Sequence, residues 1–182
     1  MTDASTTVIT LLRGINVGGH NKLPMATLRE IAAGVGFVDV RTYIQSGNLV
    51  ASTTLDPEVA RDGLVEGIRS ATGLEVPVIV RTARQWVEVV ARRPFPDALD
   101  PARHVHVVFL PAPASDAIRA FDATAFAPEA MAVRGSEVYL HLPAGMGRSK
   151  LAVAVNRLPE IGVGTARNWN TVLRIAALAA TA

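Results

Sequence analysis

A permanent cation, a bifunctional amide and three glycines fall together in Leu11-Leu12-Arg13-Gly14-Ile15-Asn16-Val17-Gly18-Gly19. Arg13 donates from a rigid fork, and Asn16 both donates and accepts. Gly14, Gly18 and Gly19 free the backbone for positive φ and for close approach by another group. The stretch follows the apolar run Val8-Ile9-Thr10 and precedes a helix, an order that can present backbone N–H groups to an anion. The same residues equally suit a tight connection that holds no ligand. Neither dinucleotide nor P-loop spacing is present, so no reaction is named.

Further donors sit in Gln45, Ser46, Gly47 and Asn48, and towards the C-terminus in Ser149, Lys150, Arg167, Asn168, Asn170 and Thr171. Such groups hold anionic or sugar-like ligands, and they also build turns and caps. A Ser149–Lys150 dyad is disfavoured, because adjacent helical residues point about 100° apart. Ser149 reads instead as an N-cap, after a Gly145/Gly147 loop whose N–H groups suit an anion. Arg167, Asn170, Thr171 and Arg174 fall at i, i+3, i+4 and i+7, a polar helix face opposite Trp169. His104 and His106 share one face of a strand, and a neighbouring strand carrying Glu137 and His141 would bring all four together, compatible with zinc or nickel. With no HExxH, paired-Asp or CxxC pattern, no metal and no cofactor is expected.

Composition bounds what those residues can serve. At 182 residues the chain has room for a substantial core, in one domain or two small halves. Its 49% apolar content makes it globular rather than disordered. A net charge of +2 is too mild an excess to predict nucleic-acid binding. The absence of cysteine rules out disulfides, thiol nucleophiles and thiolate metal sites, and fits a reducing compartment. Met1 to Thr7 carries an acid and no basic, apolar export signal. No apolar run approaches the roughly 20 residues needed to span a bilayer. A soluble cytoplasmic protein, with no membrane partner, is expected.

The elements that must position the polar residues follow from periodicity. A strand over Val8 to Arg13 precedes a helix with Met25, Leu28, Ile31, Ala32 and Val35, opened near Pro24 and closed near Gly34 or Gly36. Strands Val40 to Gln45 and Leu49 to Ser52 flank Ser46-Gly47-Asn48, a three-residue hairpin. Asp56-Pro57 caps a helix with stripe Ala60, Leu64, Ile68 and Ala71, in which Gly63 and Gly67 each cost roughly 1 kcal/mol, so packing must hold it. Val76 to Arg81 is a strand, at an edge or begun by Pro77. Thr82 and Gln85 form a capping box for a helix with Trp86, Val89 and Val90. A proline-rich boundary over Pro94 to Pro101 follows. Beyond it come a strand Val105 to Leu110, a short helix capped by Ser115, a hairpin turning at Gly135-Ser136, a helix with Leu151, Ala154 and Val155, and a last helix capped by Thr165 with stripe Trp169, Val172, Leu173 and Ala176.

The motifs LLRGINVGG (11–19) with RTYIQSGNLV (41–50), GRSKL (147–151) and TARNWNTVLRI (165–175) resemble those of the domain of unknown function family numbered 1697. The resemblance runs from about Ile9 to the C-terminal helix. It implies a tandem of ferredoxin-like halves and brings no established activity.

The expectation is an α+β protein, a tandem of two ferredoxin-like (βαββα-type) halves with an additional C-terminal helix. Residues 1–93 form the first half and residues 94–182 the second, the two behaving as one cooperative unit; the second lacks a closing strand. The expected function is binding of a small anionic or phosphorylated molecule in a polar cleft between the motif loops, with Arg13, Asn48, Lys150 and Arg167 around one pocket. Catalysis is left open for want of a recognisable nucleophile or acid–base pair. One alternative is single-stranded nucleic-acid binding on the sheet faces, against which stand only nine aromatics and no RNP-like pattern. The other is a structural or oligomerising module without a ligand, which apolar surface left by a missing strand would favour.

Overall fold

The computed structural model describes residues 5–182; residues 1–4, part of the stretch read for an export signal, lie outside the described residues. The strands are β1 (Thr6–Leu12), β2 (Val38–Tyr43), β3 (Asn48–Thr53), β4 (Val78–Thr82), β5 (Val105–Phe109), β6 (Ala130–Arg134), β7 (Glu137–His141) and β8 (Thr165–Asn168). The helices are α1 (Met25–Val35), α2 (Pro57–Thr72), α3 (Ala83–Ala91), α4 (Pro101–His104), α5 (Asp116–Arg119), α6 (Lys150–Val155), α7 (Pro159–Val163) and α8 (Trp169–Ala179). The fold is mixed α and β, with two four-stranded antiparallel sheets in the orders β2-β3-β1-β4 and β6-β7-β5-β8. The chain divides into two compact units, Met1–Glu88 with Arg174–Ala182, and Val89–Leu173. No helix among the described residues is long and apolar enough to cross a membrane.

In the first unit, Val8 and Leu12 of β1 join Leu49, Ala51 and Val78 in a core with Leu28 and Ala32 of α1 and Ala60, Leu64 and Ile68 of α2. Ile9, Leu11, Val50 and Ile79, on the opposite sheet face, are buried too, which is why β1 reads as an unbroken apolar run rather than an alternation. Asp56 accepts hydrogen bonds from Glu58 N and Val59 N, and Gly36 and Gly73 end their helices with φ of 104° and 70°. Thr82 and Gln85 make the expected reciprocal box, Thr82 N to Gln85 Oε1 at 2.8 Å and Gln85 N to Thr82 Oγ1 at 3.2 Å. Ala71, expected in the α2 stripe, is exposed, because the last turn of α2 leaves the core.

Gly63 and Gly67 have a structural reason. A Cβ on Gly63 would lie 2.7 Å from Val35 Cγ1, and one on Gly67 2.7 Å from Ile31 Cγ2. Both neighbours are β-branched, so the crowding methyl cannot swing aside. The glycines let α2 lie against α1 at a distance no side chain would allow.

In the second unit, Val108, Leu110, Val138 and Leu140 share a core with Ile118, Leu151, Val155 and Ile161. Ser115 and Ser149 cap α5 and α6 as expected, accepting from Ile118 N at 3.4 Å and Ala152 N at 2.8 Å. The closing strand expected to be missing is present. β8 pairs with β5 through Phe109↔Thr165 and Val107↔Arg167. Gly164 makes that pairing possible, since a Cβ there would lie 2.8 Å from Phe109 O. Thr165 is therefore a strand residue, and Asn168 is the residue that caps α8, its Oδ1 accepting from Thr171 N at 2.8 Å. The buried side of α8 is Trp169, Val172 and Ile175, whereas Leu173 is exposed. Arg167 leaves the proposed polar helix face, because it belongs to β8, and Thr171 is buried.

Gly67→Ala sets helix propensity against packing. Propensity alone favours alanine by roughly 1 kcal/mol. Overpacking against Ile31 costs about 1–3 kcal/mol. A net loss of stability is expected in urea unfolding, while Gly67→Ala combined with Ile31→Ala recovers part of it; a more stable single variant would show that α1 yields freely.

Candidate functional site

β1 ends at Leu12, and its hydrogen bond from Leu12 N to Gly47 O, 2.8 Å, brings the 43–48 hairpin against the loop that follows. Gly47 has φ of 74°, and a Cβ on it would lie 2.6 Å from Leu12 Cβ and 2.7 Å from Ile15 Cδ1. No other residue fits between those chains. The two motifs, 11–19 and 41–50, thus meet in space.

Asn16 fastens the junction. Held at φ of 54°, it donates both Nδ2 hydrogens, to Leu23 O at 2.9 Å and Gln45 O at 2.8 Å, while its Oδ1 accepts from Leu23 N at 2.9 Å. Between those ends the loop is a short finger. Asn16 N donates to Asn21 O, His20 N donates to Val17 O, and Gly18-Gly19, both at positive φ, turn its tip. Asn21 Nδ2 donates back to Gly14 O at 3.0 Å. Gly18 and Gly19, part of the stretch read as an anion loop, thus form the turn at the tip of the finger. Val17, Gly18, Gly19, His20, Asn21 and Lys22 are all exposed, Arg13 is half-buried, and Gln45 is exposed. Lys22 leads through Leu23 and Pro24 into α1, whose first turn has neither a side-chain cap nor an acidic residue.

Asn48 sits at the base of the hairpin with no exposed surface, its Nδ2 donating to Tyr43 O and to Ser46 Oγ, both at 3.0 Å. Sequence reasoning singled out Arg13, Asn16 and the glycines but passed over His20, Asn21 and Lys22. The pair Gly18-Gly19 was the signal that could have found them, as a two-glycine turn implies a returning strand.

The remaining motif residues belong to the second unit. Ser149 is buried as a cap, and Lys150 is exposed beside it. The first N–H of α6 after Lys150, that of Leu151, is taken by the chain's own carboxylate, Glu129 Oε2 at 2.8 Å. Arg167 is 8% exposed, with Nη1 on Thr165 Oγ1 at 2.7 Å and on Ala166 O at 2.8 Å. Burial pulls its guanidinium down to about 10, still charged at neutral pH. Asn168 caps α8, and Asn170 is exposed.

The histidines do not converge as their spacing suggested. In the ladders His141 pairs with Val105 and Glu137 with Phe109, whereas His106 pairs with Leu140 and Asn168, which puts it on the opposite sheet face. Among the described residues no three histidines, aspartates or glutamates are placed to hold a metal ion. His141 lies instead against Phe95, with ring centroids 5.7 Å apart and the ring planes tilted by 31°. Burial, aided by the charge of His104 and opposed by a His104 backbone hydrogen bond, holds the His106 imidazole below its ordinary 6.5.

A family model described as Protein of unknown function (DUF1697) matches residues 5–139. The chain belongs to this family. The DUF1697 match contains the finger and the hairpin and ends within β7. A solved structure titled as the conserved bacterial protein SP0830 from Streptococcus pneumoniae is similar in fold, with a TM-score of 0.72 at 21% identity over 97% of this chain and 99% of that one. Comparison with curated proteins finds no match.

Two outcomes are expected. Asn16→Ala loses three hydrogen bonds and strains a left-handed position, about 3 kcal/mol in all, or a drop in Tm of roughly 6–12 °C for a chain of this size. Asn16→Gly, which keeps the φ, should lose less, and equal losses would assign the whole effect to the hydrogen bonds. For His106 the folded value lies below the unfolded one, so its contribution is intact above 6.5 and is lost as pH falls below it. Melting from pH 7 down to pH 5 should therefore fall less steeply in His106→Leu than in the parent; His141, lowered by burial and by His104, keeps some of the slope.

Proposed function

We propose that this DUF1697 protein binds a small anionic or phosphorylated molecule at the finger of its first unit. Arg13, His20 and Lys22 would meet the charge, while Gly14, Asn16, Gly18, Gly19, Gln45, Ser46, Gly47 and Asn48 shape the loop and hairpin that carry them. The observation behind this reading is that one carboxamide, Asn16, holds a loop bearing three basic side chains in a fixed form. Fixing a loop before binding removes ordering cost from the affinity. The acid-free, uncapped first turn of α1 adds a favourable field for an anion. In the second unit, Ser149 and Asn168 serve as caps, and Glu129 already supplies a carboxylate to α6.

The repeated order βαββαβ and the matching sheet orders support reading each half as ferredoxin-like, the chain being a tandem of the two. We read the halves as one cooperative unit, since Arg174–Ala182 clusters with the first unit. A cytoplasmic setting is consistent with the lack of cysteine.

A thermal-shift screen of nucleotides, sugar phosphates and carboxylates tests the site. A ligand at 100 times its Kd stabilises by about 2.7 kcal/mol, or roughly 5–11 °C at this chain length. Arg13→Ala and Lys22→Ala should each reduce the shift. A hit that stabilises both variants as much as the parent binds elsewhere.

A further inference from the structure

β6 is the outer strand of the second sheet, and among the described residues it pairs with β7 alone. The two-residue turn at Gly135-Ser136 makes Arg134 and Glu137 the closing hydrogen-bonded pair. Ladder alternation then turns the N–H and C=O of Met131 and Val133 away from β7. Their side chains pack on the core, so the outer margin is bare backbone. Such an edge recruits another strand unless something blocks it.

The outer strands of this chain are blocked in two ways. β2 is interrupted by a register shift between Val38 and Arg41, with Asp39 at φ of 54°. The other three each turn an arginine back onto the preceding carbonyl. Arg81 Nη1 reaches Val80 O at 2.9 Å on β4, Arg167 Nη1 reaches Ala166 O at 2.8 Å on β8, and Arg134 Nη1 reaches Val133 O at 3.0 Å on β6. Arg81 and Arg167 are buried, whereas Arg134 is exposed. On β6, whose register is unbroken, the guanidinium stands on an outward-facing acceptor.

We propose that Arg134 guards the open edge of the second sheet, and that a second copy of this chain pairs with β6 once the guanidinium is removed. The strand matches itself. In an antiparallel pair about a two-fold axis at Ala132, Met131 of one copy faces Val133 of the other, and the outward N–H and C=O groups of each meet their complements. Four hydrogen bonds form across the axis, and two of them end on Val133 O, the atom Arg134 occupies.

Sedimentation of the parent, Arg134→Thr and Arg134→Gln from micromolar to millimolar concentration tests this. The parent stays monomeric, and both variants self-associate with a constant about tenfold tighter or more. Amide exchange at Met131 and Val133 slows in the associated form. Adding Met131→Pro to Arg134→Thr deletes an outward N–H without touching the β7 ladder, and restores the monomer. The proposal is overturned by variants as monomeric as the parent, by a parent already dimeric with both amides protected, or by a proline double variant that associates as strongly as the single.

Discussion

One carboxamide holds the first unit's finger and hairpin together. Asn16 touches three segments at once: its own loop, the entry to α1 at Leu23, and the hairpin at Gln45. The hairpin in turn lies close to β1 only because Gly47 has no side chain to separate it from Leu12 and Ile15. Neither feature works alone. Without the close approach at Gly47 the Gln45 carbonyl would lie out of reach, and without the Asn16 side chain the finger would keep its own cross-links but lose its side-chain ties to Leu23 and Gln45.

The two units solve one topological problem with different helices. In the first, α1 and α2 are long and lie together across the sheet, with Gly63 and Gly67 setting their separation. In the second, the corresponding positions hold α5, α6 and α7, of four to six residues each. Helices so short have little intrinsic stability. They are held by side-chain acceptors at their starts, Ser115 for α5 and Ser149 with Glu129 for α6, and by Ile118, Leu151 and Ile161 in the core.

Local chemistry was legible from the residues. Asp56, Thr82 with Gln85, Ser115 and Ser149 announce their caps, and Gly135-Ser136 its turn, because each uses side chains within a few positions. What depended on distant neighbours was not. β8 is only four residues long and alternates a buried threonine and arginine with an exposed alanine and asparagine, so no apolar period marks it. Gly63 and Gly67 look like helix defects until Val35 and Ile31 stand opposite. His104, His106, His141 and Glu137 were grouped by count along the chain, and the ladder register separates His106 from His141 and Glu137. At the candidate site Arg13, Asn16 and Asn48 stood out in the motifs while His20, Asn21 and Lys22 did not. The carbonyls that Asn16 and Asn48 bind were not legible, because a motif shows which groups are present and not which carbonyls consume them.

The assignment of Arg174–Ala182 to the first unit bears on how the protein is made. A ribosome delivers Met1–Glu88 first, then the 85 residues of Val89–Leu173, and only afterwards the segment that completes the first unit. At about 5–20 residues per second that interval lasts on the order of 4–17 s, long compared with the formation of helices and hairpins. During it all four strands of the first sheet have been made, while the unit still lacks Arg174–Ala182. The unit made earlier is thus completed only after the later one has been synthesised.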